Sequence, residues 1–84
     1  MDIKNYISQK NKCCVFNLTK NDAILNELNL ANYPNSDKYK ESFENVFSEK
    51  DLIIFIIDSH KIKNKTIFKI ANKLNNVLVY IIDD

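Results

Sequence analysis

The sequence contains no glycine and no arginine among its 84 residues. An average soluble chain is about 7% glycine, so about six would be expected. Dinucleotide fingerprints, phosphate-cradling loops and strand-to-helix nucleophile elbows need glycine where the backbone takes a positive φ or approaches a ligand closely. Those site types are excluded. Without arginine there is no planar fork to grip carboxylate or phosphate at two points. Tryptophan is missing too, proline occurs once and histidine once. Asn, Lys and Ile crowd the chain instead, a bias that an AT-rich genome would produce.

Charge is balanced, with twelve Lys against eleven acidic residues and a net charge of +1. That leaves no basic surplus for phosphate contacts, so nucleic acid is not the expected partner. The longest apolar run, Leu52 to Ile57, is too short to cross a bilayer. The opening Met1-Asp2-Ile3-Lys4 has no apolar signal region, so a cytoplasmic location with no membrane attachment is expected. Cys13 and Cys14 are adjacent, which suits neither a disulfide framework nor the two-residue spacing of redox and zinc motifs. They read as small apolar residues of a strand.

The length fits one α/β domain over residues 1–84. Ile3, Tyr6 and Ile7 mark a short amphipathic turn or helix ending near Lys10, and Cys13 to Phe16 a strand closed by Asn17. Thr19 and Asp22 resemble a capping box for a helix carrying Ile24, Leu25 and Leu28. Tyr33-Pro34-Asn35 breaks the chain. Ser36 can cap a helix with Tyr39, Phe43, Val46 and Phe47 on one face. Leu52 to Ile57 reads as a strand buried on both faces, followed by a helix over Thr66 to Leu74. Asn75-Asn76 can end that helix in a left-handed turn, and Val77 to Ile82 forms the last strand. The expected fold is a three-stranded parallel sheet with flanking helices in the order α-β-α-α-β-α-β.

Two strands without polar alternation need shelter on both faces. With strand order 1-2-3 the connecting helices lie on one face, and the other rests on the N-terminal helix or on a partner. With order 2-1-3 both faces are covered internally. Burying one Ile or Leu is worth about 1.5–3 kcal/mol, so a protein partner or self-association is expected wherever cover is incomplete.

Ligands of open parallel sheets lie beyond the carboxyl ends of the strands. Here those ends carry Asn17 and Thr19, then Asp58-Ser59-His60, then Asp83-Asp84. Asp58, Asp83 and Asp84 can hold Mg²⁺ through oxygen, with His60 as acid or base. The same residues read more simply as helix caps and a solvated acidic segment, and no catalytic residue, cofactor or metal is assigned from them. A Ser-His-Asp triad is excluded because the three are consecutive. Lys61, Lys63 and Lys65 form a basic loop able to meet an acidic partner or a phosphate. Tyr33 and Tyr80, with Tyr6 and Tyr39, are candidate interface anchors.

The segment Cys14-Val15-Phe16-Asn17-Leu18-Thr19-Lys20-Asn21-Asp22-Ala23 looks like the strand and Asn-Thr-Asp-Ala turn of the tubulin-like division GTPases of bacteria, the FtsZ family. Tyr39 through Ile57, Ile70-Ala71-Asn72-Lys73-Leu74 and Val77 to Ile82 are similar to the helices and apolar strands around it. The family's glycine-rich loops are absent, Ser59 to Thr66 standing in place of the phosphate loop. The resemblance therefore implies a relative that binds no nucleotide, or a mimic of such a surface, and transfers no nucleotide-contacting residue.

The expected function is a non-enzymatic interaction module, for example a phage or mobile-element inhibitor of a larger partner. One alternative is a minimal Mg²⁺-dependent or phosphate-binding enzyme built on Asp58, His60 and Asp83. Another is a subunit that completes a partner's sheet along the edge of strand 77–82.

Overall fold

The computed structural model describes residues 3–36, 47, 49–59 and 65–82. In chain order the elements are α1 (Ile3–Ser8), β1 (Cys13–Asn17), α2 (Ala23–Glu27), β2 (Asn35–Ser36), β3 (Leu52–Asp58), α3 (Lys65–Lys73) and β4 (Val77–Ile82). All pairings are parallel, and the sheet runs β2-β1-β3-β4. The fold is thus α/β with a parallel sheet and flanking helices. The expected helix after Ser36, with Tyr39, Phe43 and Val46, falls outside the described residues.

Among the described residues the sheet has four strands where three were expected. The extra one is Asn35–Ser36, with Ser36 at its end. Pro34 explains the difference. It disfavours the helical region for Tyr33, and its carbonyl accepts a 2.9 Å bond from the Val15 N–H. A two-residue strand carries no alternation for a sequence pattern to register.

This strand decides how the sheet is covered. The three longer strands lie in the spatial order 1-2-3, yet both faces are sheltered. From β1 the chain moves outward to β2, then returns across β1 to β3. With right-handed crossovers that reversal sends successive connections to opposite faces. Two apolar clusters show the result. Ile7 of α1 and Ile24 and Leu28 around α2 pack on Cys13, Val15, Ile54 and Ile56 of one face. Ile67 and Ile70 of α3, with Phe47, pack on Phe16, Ile53 and Phe55 of the other. Phe16 stacks on Phe55 with ring centroids 5.1 Å apart, and Phe47 meets Phe55 edge-on at 6.4 Å. Leu52 to Ile57 are all buried, as an uninterrupted apolar strand requires.

Side-chain amides and carboxylates do the work that glycine usually does at the turns. Among the described residues the positive φ belongs to Asn29, at 59°, not to Asn75 or Asn76. Asn29 N–H donates to the Asn26 carbonyl and Leu30 N–H to the Leu25 carbonyl at 2.7 Å, the paired bonds of a Schellman ending with asparagine in glycine's usual place. Asn76 instead uses its side chain, donating to the carbonyls of Phe47 at 3.1 Å and Lys50 at 2.8 Å. Asp51 joins the turns before β1 and β3 by accepting from the Asn11 and Lys12 N–H groups at 2.9 and 3.1 Å. Those two bonds, Asn11 first, hold its carboxyl below the ordinary value.

Two outcomes follow. Phe55→Ala, at a site with 0% exposure, should cost about 3–5 kcal/mol in chemical denaturation. Asp51→Ala should lower the melting temperature at neutral pH. Because the folded pKa is depressed, the Asp51 contribution is complete above the ordinary carboxylate value of 3.8 and disappears as pH falls through the lowered folded value. The gap between native chain and variant should therefore close only in strong acid, read from melting curves across pH.

Candidate functional site

In the order β2-β1-β3-β4 the chain reverses direction at β1. The connection leaving β1 leads to α2 on one face and that leaving β3 leads to α3 on the other, so a crevice is expected above the carboxyl ends of β1 and β3. The residues at those strand ends are Asn17, Leu18 and Thr19 after β1 and Asp58 and Ser59 after β3. Asn17 and Thr19 are buried, at 5% and 8% exposure.

The polar groups at the end of β1 bond mainly to one another. The Asn17 Oδ1 accepts from the Thr19 N–H at 3.1 Å and from its hydroxyl at 2.6 Å. The Asn17 Nδ2 donates to the Asn21 carbonyl at 3.2 Å, and the Asn21 N–H donates to the Thr19 Oγ1 at 3.2 Å. Asn21 Oδ1 then accepts from the Ala23 N–H at 3.1 Å. That bond starts α2, so the expected Thr19–Asp22 capping box is not formed: Asp22 makes no side-chain cap bond. Among the described residues no buried side-chain N or O lacks a partner. The Asn-Leu-Thr-Lys-Asn turn is thus a self-satisfied plug that ties β1 to α2.

Of the other rim candidates, Asp58 ends β3 and is half-buried, while His60, Asp83 and Asp84 lie outside the described residues. Among the described residues no three His, Cys, Asp or Glu side chains gather as a metal would require. Lys61 and Lys63 also lie outside them. Lys65 is exposed, but it is the first residue of α3 and not part of a loop. Tyr6, Tyr33 and Tyr80 are half-buried and pack against the α1–α2 cluster; Tyr6 lies under the Lys10 ammonium, 5.1 Å from its ring centroid. Tyr39 is outside the described residues.

A cleft of about 210 Å³ opens beside β1 and β2, lined by Cys14, Phe16, Pro34, Ser36, Phe47 and Lys50 among others. Ligand pockets usually measure about 300–1,000 Å³, so it admits only a small group. Cys13 and Cys14 are free thiols on opposite faces of β1. Burial pushes both above the ordinary thiol value, which disfavours the nucleophilic thiolate.

What the sequence pattern did not register is how differently β3 and β4, whose edge was named above, are covered. Val77 to Ile82 look as apolar as β3, but every one is half-buried or exposed. Ile81, at 46% exposure, is the large apolar side chain left in solvent among the described residues. The Ile53 N–H donates to the Asn76 carbonyl at 2.8 Å, and Ile53 is in register with Val77. In a parallel ladder alternate residues turn both backbone groups toward the same neighbour. Asn76, Leu78, Tyr80 and Ile82 therefore bond β3, whereas Val77, Val79 and Ile81 point their N–H and C=O groups outward.

No protein-family model, no curated protein and no solved structure matches the chain. The resemblance to the FtsZ family therefore rests on the residues quoted above alone.

Asn17→Ala should cost about 1–3 kcal/mol, because it strands the buried Thr19 N–H and hydroxyl. Denaturant titration with an unchanged slope would measure it; a loss below about 0.5 kcal/mol would mean the Asn17 bonds contribute little to stability.

Proposed function

We propose that the chain is a non-enzymatic protein-interaction module that docks by adding a strand along the outer edge of β4, which no strand covers among the described residues. The supporting observation is the contrast between the two edges of the sheet. β2 is two residues long and follows Pro34, both devices that keep an edge from recruiting foreign strands. β4 spans six residues, Val-Leu-Val-Tyr-Ile-Ile, with no charge, no proline and no glycine. Its outward amides and its exposed Ile81 offer main-chain hydrogen bonds for affinity and apolar side chains for selection, the two components of recognition by strand addition. The polar groups at the end of β1, by contrast, are occupied with one another.

Site-specific photo-crosslinking in the expressing cell tests this. A benzoylphenylalanine replacing Ile81 should give protein adducts, whereas one replacing the exposed Glu27 of α2 should give few. Equal yields from the two positions would remove β4 as the docking edge.

A further inference from the structure

We infer that the occupant of the β4 edge is a second copy of this chain, paired antiparallel about a two-fold axis at Val79. The inference rests on the edge-docking reading and specifies its partner and register. The outward residues Val77, Val79 and Ile81 are symmetric about Val79. In an antiparallel pair, opposed residues of the hydrogen-bonded kind exchange both N–H···O bonds. Centring the axis on Val79 sets Val77 opposite Ile81 of the second copy, Val79 opposite Val79, and Ile81 opposite Val77. Every outward N–H and C=O of β4 then has a partner. Shifting the register by two residues leaves one of the three without a β4 partner.

Side chains and charge agree with this pairing. Leu78 falls opposite Tyr80 of the second copy, on the face where both are already half-buried against the α1–α2 cluster. Ile81 gains cover from Val77. No charged residue lies within Val77–Ile82, and a net charge of +1 per chain gives little repulsion between copies. Asp83 and Asp84 follow β4 in sequence, so a parallel pairing would bring like charges together, while the antiparallel one separates them.

The pairing also closes. An isologous contact uses the same surface twice, leaving two copies of the short, proline-marked β2 as the outer edges of an eight-stranded sheet. A six-residue edge lies toward the low end of interface sizes, below the roughly 1,200–2,000 Å² of stable complexes, so the dimer should dissociate on dilution.

Sedimentation equilibrium over a broad concentration range should show a monomer–dimer equilibrium, weakened about tenfold or more by Ile81→Lys, a substitution at an exposed site. Hydrogen exchange at the Val79 and Ile81 amides should slow as concentration rises. Under mild oxidation with glutathione disulfide, Val79→Cys should give a covalent dimer, since opposed Cα atoms about 5.5 Å apart suit a disulfide. Tyr80→Cys and Ile81→Cys should not, and the unsubstituted chain reports any contribution of Cys13 and Cys14. A chain that stays monomeric up to about 1 mM, a dimer indifferent to Ile81→Lys, or preferential cross-linking through Tyr80→Cys would overturn the inference. If the chain is monomeric but position 81 still photo-crosslinks to another protein, the second-copy assignment falls and edge docking stands. If neither occurs, both fall.

Discussion

The structure is organised by the need to bury β3. Its first six residues carry no polar atom outside the backbone, and all six are buried. A strand of that kind is stable only inside a sheet, with neighbours on both edges and helices over both faces. β1 and β4 supply the edges. The faces require the chain to reverse direction once, and the two-residue β2 makes that possible by pairing outside β1. Without β2, the crossovers among the three long strands would place their helices on one side, and Ile54 and Ile56 would have only α1 above them.

A chain without glycine must also turn, and asparagine meets that demand in several distinct ways. Asn29 accepts the left-handed conformation directly, which a short side chain able to bond locally tolerates best. Asn17 and Asn21 bridge the turn into α2 through their side-chain amides. Asn76 holds the turn before β3 against the start of β4. Side-chain hydrogen bonds thus fix the loop ends that backbone freedom would otherwise shape. The cost is chemical: a rim whose amides and hydroxyls bond to one another has fewer of them to offer a ligand.

Much of the architecture was legible because its periodicities are strong. The strands at Cys13, Leu52 and Val77, and the helices carrying Ile24 and Ile67, follow from where apolar residues recur. β2 was not legible, since two residues hold no period and Pro34 reads equally well as a plain break. The start of α2 and the position of the left-handed turn were misread for a related reason. Thr19, Asn21 and Asp22 are all competent caps, as are Asn29, Asn75 and Asn76 for a left-handed turn, and only three-dimensional neighbours choose among them. The rim at Asp58 was placed by topology, but His60, Asp83 and Asp84 fall outside the described residues, so the convergence proposed for them stays a sequence expectation.

The hardest distinction was between β3 and β4, whose compositions are nearly the same. Composition records that a strand is apolar on both faces. It does not record whether the strand has two neighbours or one. Position in the sheet separates them: β3 lies between β1 and β4, whereas among the described residues β4 pairs with β3 alone. An apolar strand at an edge is a hazard that folded proteins usually blunt with charge, proline or brevity. This chain does so at β2 and not at β4. That composition, out of place at the border of a sheet, is the physical ground for the proposal that a further strand pairs with β4.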